Sequence, residues 1–173
     1  MSAPIVVSPL SDLPEVGERY RPSAMITMMS NDDPVPRPSS VVEERHLHLV
    51  FNDIGEPRDG LVPPNTAHID ALIAAVRAWT GEAPLLLHCW FGVSRSTAAA
   101  VIALATLRPN RSEADIARAL RAAAPFATPN PLMIVLADRQ LGRDGRLSEA
   151  VAAIGRGAET SEGTPFTLPV DVP

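Results

Sequence analysis

Leu85-Leu86-Leu87-His88-Cys89-Trp90-Phe91-Gly92-Val93-Ser94-Arg95-Ser96 holds the single cysteine of the chain and leads into an apolar, alanine-rich stretch ending at Leu107. Three leucines in a row, without polar alternation, read as a strand buried on both faces. The stretch from Ser96 to Leu107 reads as a helix, and Gly92 permits the tight turn between the two. A strand, a short turn and a helix start gather backbone N–H groups and the helix dipole around one concave point. That point accepts a tetrahedral oxyanion.

The side chains in this stretch suit phosphoryl transfer. A thiol attacks only as thiolate, and its free pKa of about 8.5 requires positive surroundings at neutral pH. Arg95 supplies a permanent charge and can fork two N–H bonds onto two phosphoryl oxygens, which lysine cannot do. Cys89 is placed to attack phosphorus in line and form a phosphocysteine that water then hydrolyses. Ser96 is placed to donate to the sulfur, although Ser94 or Ser96 could equally serve as helix N-cap. The substrate-binding set is therefore Trp90, Phe91, Gly92, Val93 and Ser94, acting as loop backbone, together with the Arg95 side chain. Aromatic residues beside a tight turn more often pack than recognise, so the Trp90 and Phe91 rings carry no assigned role.

A departing alkoxide or phenoxide needs a proton, so a carboxylic acid should reach the pocket from another loop. By spacing, both Asp53 and Asp59 qualify. Asp53 directly follows the strand-like run from Arg45 to Phe51, where a side chain can be held at the edge of a sheet. Asp59 precedes Gly60 in a Pro/Gly-rich turn, where aspartate commonly serves local turn bonding.

The run Cys89 to Ser96, with His88 before it, resembles the Cys-x5-Arg-Ser/Thr signature of the protein tyrosine phosphatase superfamily. Phe51-Asn52-Asp53-Ile54 looks like the acid loop of its small dual-specificity-like branch, and Thr128-Pro129-Asn130-Pro131 resembles the Pro-Asn segment before that branch's last core helices. The resemblance spans roughly Arg45 to Arg143. It implies Cys89 as nucleophile, Arg95 as phosphate ligand, Asp53 as general acid and a place for Asn130 beside the pocket. Many relatives carry a basic residue directly after the cysteine, whereas this chain carries Trp90 and Phe91.

At 173 residues the chain is one domain by size, and 46% hydrophobic with 20% charged residues is an ordinary globular composition. A net charge of −5 and a pI near 5.3 argue against a nucleic-acid partner. No apolar run has the length of a membrane span, and Met1-Ser2-Ala3-Pro4 leads into no signal core, so no membrane association and a cytoplasmic location are expected. A lone cysteine makes no internal disulfide, which fits a reducing compartment. One cysteine and four scattered histidines offer no metal-ligand pair, so neither a metal nor a cofactor is expected. All fifteen basic residues are arginine and alanine is abundant, a composition typical of a GC-rich bacterial genome.

Strand-like runs cover Pro4 to Val7, Ala24 to Met29 and His46 to Phe51, with His46 and His48 on one half-exposed face. Ser30 to Ser40 reads as a mobile surface loop with room on the pocket rim. Helices are expected from an Asn65 cap through Thr80, from Ser112 to about Ala124, from Pro131 to Leu141 and from Arg146 to Ile154. The sum is a single α/β domain over residues 1–156, with a short, mostly parallel central sheet flanked by helices on both faces. Residues from Gly155 to Pro173 are expected as a surface tail or disordered, with the tail proper over 157–173.

The functional expectation is a metal-independent phosphomonoesterase acting on a phosphorylated protein, as a tyrosine or dual-specificity phosphatase. The alternatives are a phosphatase of a small phosphate ester or phosphoinositide, a non-catalytic phosphate-binding module, and a sulfurtransferase.

Overall fold

The central strand is the leucine run. In the computed structural model, which describes residues 1–171, β4 (Leu85–Cys89) lies between β1 (Ile5–Pro9) and β2 (Ala24–Met29), parallel to both. The register pairs Ile5 with Leu85 and Pro9 with Cys89 on one side, and Ala24 with Leu85 on the other. With neighbours on both edges and helices on both faces, every residue of β4 is buried, which is why it shows no polar alternation. β3 (His46–Val50) extends the sheet beyond β2, again in parallel.

Successive side chains point to opposite faces of the sheet. Val6, Met25 and Leu86 pack with Leu13 and Val16 of α1 (Leu13–Tyr20) on one face. Ile5, Val7, Ile26, Met28, Leu85 and Leu87 face the larger core formed with α2 (Thr66–Ala78), α3 (Arg95–Leu107), α4 (Glu113–Ala123), α5 (Pro131–Gln140) and α6 (Arg146–Ala153). The two faces are thus unequally covered, one by a single helix and the other by five. Each buried leucine or isoleucine contributes about 1.5–3 kcal/mol of transfer free energy. Helix α3 is the hub, because its residues from Arg95 through Ala105 are all buried and its alanines let the sheet and helices approach closely.

Three local features account for the chain's other turns. Asn65 caps α2 through a reciprocal pair, its Oδ1 accepting from the His68 N–H at 3.1 Å while its own N–H donates to His68 Nδ1 at 3.1 Å. Ser112 Oγ accepts from the Asp115 N–H at 3.1 Å to start α4. Helix α1, which is not among the expected helices, tolerates Pro14 and Gly17. The proline lies in the first turn, where no hydrogen bond is lost, and the glycine leaves room for Pro38, whose Cγ would lie 2.9 Å from an added Cβ.

The C-terminal stretch differs most from expectation. Phe166–Leu168 forms β5, antiparallel to β1, so the strand order is β3-β2-β4-β1-β5. Phe166, Leu168 and Val170 are buried, Arg108 Nε donates to the Val170 carbonyl at 2.9 Å, and Arg108 pairs with Asp171. Residues 157–171 therefore pack onto the domain and give its sheet an antiparallel edge, while Val172 and Pro173 lie outside the described residues. The alternation of Phe166, Leu168 and Val170 is a period-2 signal in the sequence, masked by the Gly, Thr and Pro around it.

Candidate active site

Strand β4 delivers Cys89 to the carboxyl edge of the sheet, where open α/β sheets bind their ligands. The chain then turns through residues 90–94 into α3. Gly92 makes that turn with φ of 68°, and an added Cβ would come within 2.8 Å of the Pro9 nitrogen. Both conformation and space require glycine there.

The loop carbonyls are bound from outside by three separate segments and, at Val93, also by the first turn of α3. Leu10 N–H donates to the Trp90 carbonyl at 3.1 Å and Gly163 N–H to the Phe91 carbonyl at 2.8 Å. Thr128 N–H donates to the Val93 carbonyl at 3.0 Å, joined by Thr97 Oγ1 at 2.6 Å, and Asn130 N–H reaches the Ser94 carbonyl at 3.2 Å. With carbonyls turned outward, the amides are free to face the cysteine, and Gly92 N–H donates to Cys89 Sγ at 3.3 Å. Ser96 Oγ lies 3.2 Å from the same sulfur. Neither Ser94 nor Ser96 caps α3. Ser94 holds the cap position without a capping bond, its hydroxyl being spent on Asp53.

Arg95 is only 6% exposed and is aimed by two strand ends. Its Nη1 donates to the Phe51 carbonyl at 2.8 Å and to Ser30 Oγ at 3.1 Å. Its Nε is buried with no hydrogen-bond partner among the described residues. A buried guanidinium N–H left unpaired is costly, so this geometry suits an anion that is not part of the chain.

His88 lies beneath the loop and is pushed down to about 3, chiefly by burial, so it is neutral at ordinary pH. Its Nδ1 faces the Cys89 carbonyl at 3.4 Å, which leaves Nε2 to accept from Thr27 Oγ1 at 2.7 Å. Thr27 Oγ1 in turn accepts from His46 Nε2 at 2.8 Å. His46 and His48 are half-buried on the outer strand with their rings stacked at 6.2 Å, consistent with sheet residues rather than ligands.

Asp53 stands just past β3, exposed, with Oδ1 accepting from Ser94 Oγ at 2.7 Å and from Asn130 Nδ2 at 2.9 Å. Its loop is pinched at the neck, Asn52 N–H donating to the Val62 carbonyl at 2.6 Å and Val62 N–H to Asn52 Oδ1 at 2.8 Å. Asp59 sits at the exposed tip of that loop, beside Gly60, whereas Asp53 is tied to the turn that follows Cys89. Asn130 fills both roles that its sequence position allows. Its Oδ1 caps α5 by accepting from Met133 N–H at 3.0 Å, and its Nδ2 also donates to the Ile54 carbonyl at 3.1 Å.

Trp90 and Phe91 do not pack inward. They are 49% and 51% exposed, their rings meeting edge to face at 6.3 Å on the rim. Their carbonyls are held toward Leu10 and Gly163, which leaves the side chains to solvent. Trp90 borders a cleft of about 380 Å³ lined on its far side by Asn31, Asp33, Pro34 and Val35, so the Ser30–Ser40 loop does reach the rim. A second cleft of about 400 Å³ lies beside Asp53, Ser94 and Asn130, with Arg156 and Glu159 on its outer wall. Another cavity, about 250 Å³, lies near Ala24, Trp79 and Leu85 at the opposite end of the strands, away from the cysteine. Among the described residues no three His, Cys, Asp or Glu side chains cluster to hold a metal ion, and no helix is long and apolar enough to cross a membrane.

The sequence matches no known family profile and no curated protein. Solved structures do resemble the fold. DUSP15 superposes with a TM-score of 0.60 at 19% identity, covering 89% of this chain and 92% of its own. The PTP-2 phosphatase of Cydia pomonella gives 0.60 at 15% identity, over 80% and 90% of the two chains. Human DUSP28 gives 0.54 at 20% identity, over 79% and 85%. A five-stranded, mostly parallel sheet packed with six helices is thus the fold this chain has in common with phosphatases of these kinds.

Proposed function

We propose that this chain is a phosphomonoesterase that works through a phosphocysteine on Cys89, with phosphotyrosyl or mixed phosphoprotein substrates. The observation that carries the reading is the turn itself, where Cys89 Sγ receives Gly92 N–H at 3.3 Å and lies 3.2 Å from Ser96 Oγ at the start of α3, whose first residue, Arg95, is buried with its Nε unpartnered among the described residues. In the first step Cys89 Sγ forms a bond to phosphorus while the bond from phosphorus to the ester oxygen breaks. Asp53 gives its proton to the departing oxygen. In the second step water attacks phosphorus, the S–P bond breaks, and Asp53 takes the water proton while Ser96 donates to the leaving sulfur. Arg95 and the loop amides hold the phosphoryl oxygens through both steps, supplying the positive potential that other phosphatases take from metal ions.

Two features support an aromatic substrate. Trp90 and Phe91 present apolar ring surface at the rim, and the loop itself carries no cation besides Arg95. A multiply phosphorylated head group favours several cationic partners. The net charge of −5 further disfavours polyanionic ligands. The sequence features that led us to expect a cytoplasmic bacterial enzyme remain part of this proposal.

The test is phosphate release from a panel of phosphotyrosyl and phosphoseryl peptides, phosphoinositides and nucleotides, with chelator present and with vanadate added. The reading requires turnover on phosphotyrosyl peptides that survives chelator, stops with vanadate and vanishes in Cys89→Ser. Clear preference for a small ester would overturn the protein-phosphatase part.

A further inference from the structure

Gly163 touches the back of the phosphate-binding turn through one peptide group. Its N–H donates to the Phe91 carbonyl at 2.8 Å, and the next N–H along, that of Gly92, donates to Cys89 Sγ at 3.3 Å. The Phe91–Gly92 bond is trans, so carbonyl and N–H are the two ends of one rigid plane pointing in opposite directions. The other outside donors act differently. Leu10 and Thr128 bind the carbonyls of Trp90 and Val93, whose peptide groups end on the N–H of Phe91 and of Ser94 rather than on the amide that meets the sulfur.

We propose that Gly163 is a positioning residue for Cys89, holding and polarising the Phe91–Gly92 peptide so that its N–H stays aimed at the sulfur and favours the thiolate. Hydrogen bonds in series strengthen one another, and a bond to a charged acceptor is the stronger kind. The proposal rests on the reading of Cys89 as nucleophile. It also gives the C-terminal segment a task in the site.

Close approach is what requires glycine at 163. An added Cβ would lie 2.5 Å from Cε2 of Phe126 and 2.8 Å from the Gly92 carbonyl oxygen. The second of these is backbone of the turn itself, so any side chain at 163 pushes on the peptide next to the one it holds. The segment is fastened on both sides of the contact. Ala158 N–H donates to the Pro125 carbonyl at 2.9 Å, Gly157 N–H to Thr128 Oγ1 at 3.1 Å, and Glu162 accepts from Ser11. Beyond the contact, β5 locks into the sheet through Phe166 opposite Val7.

The first test is the rate of Cys89 alkylation by iodoacetamide across pH in wild type and Gly163→Ala. The expected result is a curve displaced to higher pH, with the rate at pH 6 reduced about tenfold and kcat on 4-nitrophenyl phosphate reduced more than KM is changed. A curve superimposed on that of wild type, with only a lower Tm, overturns the proposal. If Gly163→Ala does not fold, the unmodified chain answers the same question. The Gly163 amide resonance in nitrogen–proton NMR spectra should titrate together with the alkylation curve and lose that titration in Cys89→Ser. A Gly163 resonance indifferent to alkylation of Cys89 overturns the proposal as well. Alkylation does not depend on phosphate release, so a displaced curve in a chain without turnover supports this role while removing the phosphatase reading.

Discussion

Ser94 Oγ donates to Asp53 Oδ1 at 2.7 Å, so the last residue of the turn between β4 and α3 holds the carboxyl group that arrives from a different strand. Asn130 Nδ2 holds the same oxygen at 2.9 Å. Two loops that meet only in the folded protein are thereby locked to the segment that enters α3.

The first prediction separates holding the acid from being the acid. Asp53→Asn should lower kcat/KM on phenyl phosphate, whose leaving group is poor, by about 10²-fold or more, and affect kcat/KM on 4-nitrophenyl phosphate less. Ser94→Ala should show the same dependence on leaving group at a smaller size. Asp59→Asn should change neither. The check is a leaving-group series for each variant, and an Asp59→Asn chain that alone lost turnover on poor leaving groups would reassign the acid.

Asn130 offers a cleaner separation, because its two roles respond to different replacements. Asn130→Ala loses both the α5 cap, worth about 1 kcal/mol, and the bond to Asp53. Asn130→Ser keeps a capping oxygen and loses the reach of Nδ2 to Asp53 and to the Ile54 carbonyl. Denaturant unfolding should therefore show Asn130→Ala less stable than Asn130→Ser by the value of the cap, while both lose turnover on poor leaving groups.

Arg95→Lys should lower vanadate affinity and kcat/KM by about 10²-fold or more, since a lysine has neither the fork nor the Phe51 and Ser30 anchors in the same geometry. Isothermal titration with vanadate provides the check. Retained affinity would show that the loop amides suffice.

His88 predicts an acid limit on stability. Its folded value of about 3 lies below the ordinary histidine value of 6.5, so the unfolded chain binds a proton that the folded chain refuses. The contribution is complete above pH 6.5 and is lost as pH falls toward 3, with a slope of up to about 1.4 kcal/mol per pH unit. His46 is also lowered, first by burial and then by His48, and adds in the same direction. Unfolding free energies measured between pH 7 and 4 should decline more steeply in wild type than in His88→Gln.

How much of this was legible in the sequence depended on how local each feature is. Cys89, Gly92, Arg95 and Ser96 could be read together because a strand, a turn and a helix start fix their geometry within eight residues. Helices α2, α4 and α5 announced themselves by their caps at Asn65, Ser112 and Asn130, and α3 by its alanine-rich apolar run. The bond from Ser94 to Asp53 could not be read, because it spans 41 positions, and the capping habit of serine pointed elsewhere. Trp90 and Phe91 were misjudged as packing residues because the outward pull of Leu10 and Gly163 on their carbonyls comes from distant segments. β5 was missed because three residues paired to the far end of the chain leave only a weak local pattern.

The central claim is covalent chemistry at Cys89, and rapid-quench turnover of 4-nitrophenyl phosphate by Asp53→Asn tests it most directly. The good leaving group needs little acid help, whereas hydrolysis of the intermediate loses its base. The account predicts a burst of one 4-nitrophenol per chain, followed by slow release, with peptide mass spectrometry placing a phosphoryl group on Cys89. Linear product formation without a burst, together with undiminished turnover in Cys89→Ser, would contradict it.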